Sequence, residues 1–231
     1  MTGVAERWWA VRARVDAACR EAGRDPAEVA ILPVSKTFGV PVLREALAAG
    51  LRRFGENRMQ EIRDKQAELA DADIAWVVIG PLQTNKARDA ARLAAEVQSL
   101  DRLALAEALQ QRLEREGRTL DVLVQVKTAL EPGKHGLPPA ELLPFLDHLR
   151  ALPRLHVRGL MTVATQTDDA GEIRRCFRQL RQLRDAAVAI GHVLPRLSMG
   201  MSGDFPLAIA EGATELRIGS GVFALRPAAA G

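Results

Sequence analysis

The run Ile31 to Val34 is apolar and is followed by Ser35 and then Lys36, with no carboxylate within three residues of the lysine. A lysine desolvated at such a strand end has a lowered pKa, and only its neutral amine can attack an aldehyde to form a Schiff base. A lysine that snorkels its charge into solvent also reads this strand. A second cluster stands far off in sequence, where Ser198-Met199-Gly200-Met201-Ser202 and Gly219-Ser220-Gly221 each follow a short β-rich run. Small residues let backbone N–H groups approach a ligand, and Ser202 is placed to cap a short helix starting near Gly203. The amino-terminal dipole of that helix would favour phosphate. Asp204 works against an anion there, and turn glycines with a helix cap are the plainer alternative.

Arg217 lies in Glu215-Leu216-Arg217-Ile218, where strand alternation puts Glu215 and Arg217 on one side. A guanidinium facing the inside needs an acceptor. A pyridine nitrogen would serve, and so would Glu215. An amine for an aldehyde beside an anion site points to an aldehyde that carries a phosphate, and pyridoxal 5'-phosphate is the ready candidate. Other conspicuous residues read as structural. Cys176 falls on an apolar helix stripe, Trp8 and Trp9 read as packing anchors, and the four histidines have no metal-ligand spacing, so no metal is expected.

These positions are scattered, so something must gather them. Short β-rich runs at 30–35, 52–55, 75–79, 96–100, 121–127, 155–161, 196–199 and 215–218 alternate with helical patterns. The helical patterns span 41–49, 58–70, 86–95, 102–116, 139–151, 171–190 and 205–210, and an extra amphipathic helix at 4–22 comes first. Strict alternation argues for parallel strands with right-handed crossovers, and eight of them suggest a closed α/β barrel of the (β/α)8 TIM type. An open doubly wound sheet is the alternative, but no Gly-x-Gly-x-x-Gly follows the first strand. In the barrel every strand would deliver its carboxyl end to one face: Lys36, Glu56 and Asn57, Gly80 to Gln83, Lys127 and Thr128, Thr162, Ser198 to Ser202, and Gly219 to Gly221. Pro33 inside the first strand has no explanation at this level.

The composition allows one domain over 1–231, with 1–24 as the added helix and 228–231 as a frayed tail. Thirty-two Lys and Arg against 29 Asp and Glu leave only +3, spread without basic runs, which argues against nucleic acid as the main partner. Two cysteines suit a reducing compartment. With neither a signal-like start nor a membrane-length apolar run, the expectation is a cytoplasmic protein, and without a large apolar stripe, a monomer.

Six ordered segments then become recognisable: Val34-Ser35-Lys36-Thr37, Phe54-Gly55-Glu56-Asn57, Ile79 to Lys86, Arg158-Gly159-Leu160-Met161, Leu197 to Ser202, and Arg217-Ile218-Gly219-Ser220. From about residue 5 to residue 227 the chain resembles the pyridoxal phosphate homeostasis proteins, the YggS/PROSC family. The resemblance implies a barrel like the amino-terminal domain of alanine racemase and a Schiff base between the cofactor and Lys36. It implies that Asn57 lines the site and that Arg217 faces the pyridine nitrogen. Ser202, Gly219 and Ser220, with Ser198 and the backbone of Met199, Gly200 and Met201 nearby, would hold the phosphate. The family is thought to bind and buffer the cofactor without settled catalysis, with apo-enzymes that use it as candidate recipients. The chain departs from the family in having Phe38-Gly39 where Lys-Pro is common, Ser220 where threonine is, and His135 where serine is.

The competing expectation is an amino-acid racemase of weak activity. Racemisation needs acid–base groups on both faces of the substrate carbon. In alanine racemase the second is a tyrosine from another domain, and this chain has no tyrosine. A phosphosugar lyase or aldolase using Lys36 without cofactor would leave Arg217 unexplained.

Overall fold

The computed structural model describes residues 3–131 and 133–223. Its eight strands are β1 (Ala30–Pro33), β2 (Arg53–Glu56), β3 (Ala75–Val78), β4 (Ala94–Leu100), β5 (Leu120–Gln125), β6 (Leu155–Met161), β7 (Arg196–Ser198) and β8 (Glu215–Ile218). All pair in parallel, in the order β1-β8-β7-β6-β5-β4-β3-β2. The circle closes between β1 and β2, where Val34 bridges Gly55 and the Ser35 N–H donates to the Gly55 carbonyl at 3.0 Å. The expected (β/α)8 barrel is thus the fold.

That seam also accounts for Pro33. Successive N–H groups of a strand point to alternate neighbours; Val34 donates to Ile218 of β8 and Ser35 to Gly55 of β2. Pro33 would therefore face β2, below the single bridge that joins the two strands. Its missing donor falls where no ladder bond is made.

Helix α1 (Val4–Glu21) precedes the barrel and buries Val4, Val11, Val15, Ala18 and Cys19. The helices that follow are α2 (Val40–Ala48), α3 (Met59–Glu68), α4 (Ala87–Leu93), α5 (Leu103–Glu116), α6 (Leu142–Leu149), α7 (Ala170–Ala189), α8 (Phe205–Ala210) and α9 (Ser220–Phe223). On α7 the expected stripe is buried at Ile173, Cys176, Phe177, Leu180 and Ala187, each large side chain contributing roughly 1.5–3 kcal/mol. Trp8 packs on the core, but Trp9, one residue round the helix, is 64% exposed, so it is not the packing anchor expected.

Boundaries moved where pairing overrode local pattern. The alanine-rich stretch expected to be helical to residue 95 turns into β4 at Ala94, because Ala94 pairs with Trp76 of β3. The β5 strand stops at Gln125, and Val126 instead bridges Leu137, where the following loop doubles back. The short α9 carries Ser220 and Gly221 in its first turn and had no sequence signal. The frayed tail expected at 228–231 lies outside the described residues.

The barrel interior departs from the usual branched-aliphatic filling. Arg53, Glu96, Gln98, Arg196, Ser198, Glu215 and Arg217 point inward and bond to one another across it. Arg53 Nη1 reaches Glu215 at 2.6 Å, Arg53 Nη2 reaches Glu96 at 2.9 Å, and Arg196 bonds both carboxylates at 2.8–3.0 Å. This polar floor supports everything above it.

Candidate functional site

Strand alternation delivers the site. On β1, Leu32 and Val34 face the barrel axis and Ser35 faces outward to Glu56, so Lys36 returns to the inner side at the barrel mouth. On β2, Arg53 and Gly55 face inward, and Asn57 continues that side at the rim. A cavity of about 540 Å³ opens there, lined by Lys36, Asn57, Met201, Ser202, Arg217, Gly219 and Ser220. Seven of the ten expected site residues therefore converge from four strand ends. Gly80 makes room for Asn57, because a Cβ at position 80 would sit 2.4 Å from the Asn57 carbonyl oxygen.

Lys36 differs from its expected setting in one respect. The strand leading to it is buried, yet Lys36 itself is exposed. The reason is local: β1 ends at Pro33, and a tight turn closed by the Phe38 N–H on the Ser35 carbonyl (3.1 Å) lifts the lysine into the mouth. Thr37 is the third residue of that turn and has φ +69, a left-handed value that costs a residue with a Cβ roughly 1–2 kcal/mol. Its N–H donates to Glu61 at 2.8 Å.

Arg217 is buried, and its guanidinium is fixed by two bonds, Nη1 to Ser198 Oγ at 2.8 Å and Nη2 to the Thr162 carbonyl at 2.7 Å. Thr162 Oγ1 in turn donates to the Val126 carbonyl at 2.8 Å, so the polar residues after β5 and β6 brace the arginine. Burial pushes its pKa down to about 10 against the pull of Glu215 and Asp204, leaving it charged at neutral pH. Glu215 is not its ion-pair partner, because Arg53, Arg196 and Gln98 take that carboxylate.

Ser198, Met199 and Gly200, expected near the phosphate, do not line the cavity. Ser198 is fully buried between Gln98 (2.7 Å) and Arg217, and Met199 is in the core. Gly200 has φ +97, and a Cβ there would lie 2.6 Å from the Cβ of Ala208; its role is the close packing of this turn on α8. Ser202 does not cap α8 either. Asp204 is the N-cap and accepts from the Met201 N–H at 2.5 Å. Ser202 instead meets Ser220, whose Oγ is 3.2 Å from its own, so two hydroxyls stand side by side on the cavity wall between Gly203 and Gly219.

With this geometry in view, comparison with known proteins gives a consistent answer. Residues 10–227 match the model of the alanine racemase N-terminal domain family. The Pseudomonas aeruginosa pyridoxal phosphate homeostasis protein is 42% identical, with 98% of this chain and 97% of that protein covered. This chain belongs to the pyridoxal phosphate homeostasis protein family. The family member PipY of Synechococcus elongatus, solved with pyridoxal phosphate bound, superposes with a TM-score of 0.84 at 40% identity, covering 95% of this chain and 99% of that one. Alanine racemase from Bacillus anthracis shares the fold at 20% identity and a TM-score of 0.68, and the chain spans 57% of its length.

The homeostasis-protein barrel also brings to the cavity residues that sequence reasoning had set aside. Lys134 and His135, in a loop that says little by itself, reach the wall because Gln125 Nε2 holds the His135 carbonyl at 3.1 Å. The Lys127 N–H and the Leu137 carbonyl close the same loop at 2.9 Å. Phe38, in place of the family's second lysine, packs on Phe223 of α9 with ring centroids 5.3 Å apart. That position is part of an aromatic cluster here.

Proposed function

We propose that this protein binds pyridoxal 5'-phosphate and holds it covalently through the Lys36 amine, as a carrier in intracellular vitamin B6 homeostasis. The observation that carries this reading is one cavity presenting three complementary groups. An exposed lysine amine suits the aldehyde, the fixed cationic Arg217 suits the pyridine nitrogen, and the Ser202–Ser220 hydroxyl pair with Gly203 and Gly219 suits the phosphate. The cavity volume lies within the range of small-molecule sites, roughly 300–1,000 Å³. When bound, the cofactor would supply an aldehyde that condenses with an amine and releases water. The Ser198 and Thr162 bonds keep Arg217 from turning, so the ring would be met by a donor set already in place.

The carrier reading is supported by the name of the relatives and by the lack of tyrosine as a second acid–base group. Both cysteines are buried away from the cavity, whereas His135 is on its wall. A weak amino-acid racemase activity would therefore depend on His135, and its loss in His135→Ala would identify it. Delivery to cytoplasmic apo-enzymes, by a monomer, completes the proposal; among the described residues no helix is long and apolar enough to cross a membrane. The test is the visible absorbance of protein loaded with pyridoxal phosphate, with Lys36→Ala as control. Loss of the Schiff-base band in the variant is expected, and an unchanged band would sink the assignment.

A further inference from the structure

The turn that carries Lys36 is gripped from outside the barrel by a buried polar cluster that no cofactor contact requires. Ser35, Glu56 and Lys65 are all buried between β2 and α3. Ser35 Oγ donates to Glu56 Oε1 at 2.6 Å, and Lys65 Nζ donates to the same oxygen at 2.6 Å. Lys65 Nζ also donates to the Ser35 carbonyl at 3.0 Å, the same oxygen that closes the turn. On the other side of Lys36, Glu61 takes the Thr37 N–H at 2.8 Å and lies 3.4 Å from Lys65 Nζ.

The two neighbours of Lys36 are thus tied to one cluster, while Lys36 itself makes no hydrogen bond or ion pair among the described residues. Two features mark the arrangement as more than packing. Thr37 is the one residue other than glycine with a positive φ among those described, and an outlier of that kind persists only when its surroundings over-determine it. Glu56 Oε2 is buried without any partner, so the carboxylate is kept at an unfavourable place in order to hold Ser35 and Lys65.

We propose that Glu56, Lys65 and Glu61 are positioning residues that hold the Ser35–Phe38 turn so that the Lys36 amine is aimed into the cavity. The inference rests on the reading of Lys36 as the covalent anchor and extends it to residues that never touch the cofactor. A tether on each side of the lysine restricts where its amine can travel, which raises the fraction of time it spends within reach of a bound aldehyde.

The test separates aim from binding. Pyridoxal phosphate can react with Lys36, whereas pyridoxine 5'-phosphate, with an alcohol in place of the aldehyde, can only bind. In Glu56→Gln and Glu61→Ala the rate of adduct formation on Lys36 should fall roughly 10- to 100-fold, as expected for a reacting group moved by about 1 Å, while pyridoxine phosphate affinity stays within about twofold. Glu61 is partly exposed, so its variant should fold even if the Glu56 variant does not. Glu61→Gln keeps an acceptor for Thr37 and should restore most of the rate. Unchanged adduct rates in the folded variants, or parallel loss of both ligands, would overturn the positioning role. A parent protein that forms no adduct on Lys36 would instead overturn the anchor reading, and this inference with it.

Discussion

Two buried charge networks sit a few residues apart on β2 and are built on opposite terms. In the barrel floor every carboxylate oxygen is matched: Glu96 and Glu215 each receive Arg53, Arg196 and Gln98. Burial alone would raise the Glu215 pKa, but the charges of Arg53 and Arg196 outweigh it and hold the carboxyl below its ordinary value. At the rim, burial dominates and pushes Glu56 up, despite Lys65 and Ser35 on its one bonded oxygen. A fully satisfied network rigidifies, and a partly satisfied one stores cost. The floor is built for stability, and the rim accepts an imperfect bond set to hold the turn of Lys36.

The largest way to break this contrast is to empty the floor. Glu215→Ala leaves Arg53 and Arg196 short of a buried partner and should cost about 3 kcal/mol in urea unfolding, at the low end for a broken buried pair because both arginines keep some solvent. Glu56→Gln should cost clearly less. Equal losses would erase the distinction between floor and rim.

The cavity wall should behave as neither network. Ser202→Ala with Ser220→Ala removes two hydroxyls facing a doubly charged group, a loss of about 1.5–3 kcal/mol in affinity for pyridoxal phosphate, with little effect on pyridoxal. A parent that binds pyridoxal and its phosphate equally well would refute the phosphate end of the site.

The two carboxylates should also give opposite pH signatures. Glu215 has a folded pKa below its ordinary 4.5, so its contribution is present above that value and is lost as pH falls through the folded pKa. Glu56 has a folded pKa above 4.5, so its contribution is fully present below 4.5 and fades as pH rises through the folded pKa. Stability of the parent minus that of Glu215→Gln should rise with pH, and the same difference for Glu56→Gln should fall. Slopes of one sign would contradict the comparison. The smallest effect belongs to Phe38→Lys, which restores the family's usual residue. It should cost about 1 kcal/mol of ring packing against Phe223, read from thermal unfolding, and leave Lys36 reactivity intact.

Much of this was legible in the sequence. Eight alternating runs were enough for the barrel, and the period of two along β1, β2 and β8 was enough to place Lys36, Asn57 and Arg217 on one face. What stayed hidden depends on contacts between distant segments. Ser198 looks like a ligand residue because its hydroxyl follows a strand, but its neighbours Gln98 and Arg217 come from β4 and β8. The Lys65 and Glu56 pair joins α3 to β2 across nine positions that no helix period links. Loop 133–136 reaches the site through Gln125, whose side chain has no sequence mark of that role.

The most direct test of the account is borohydride reduction of the protein loaded with pyridoxal phosphate, followed by peptide mapping of the fixed adduct. The account expects the pyridoxyl group on the peptide containing Lys36 in near-stoichiometric yield. An adduct mainly on Lys134 or Lys86, or none at all, would contradict it.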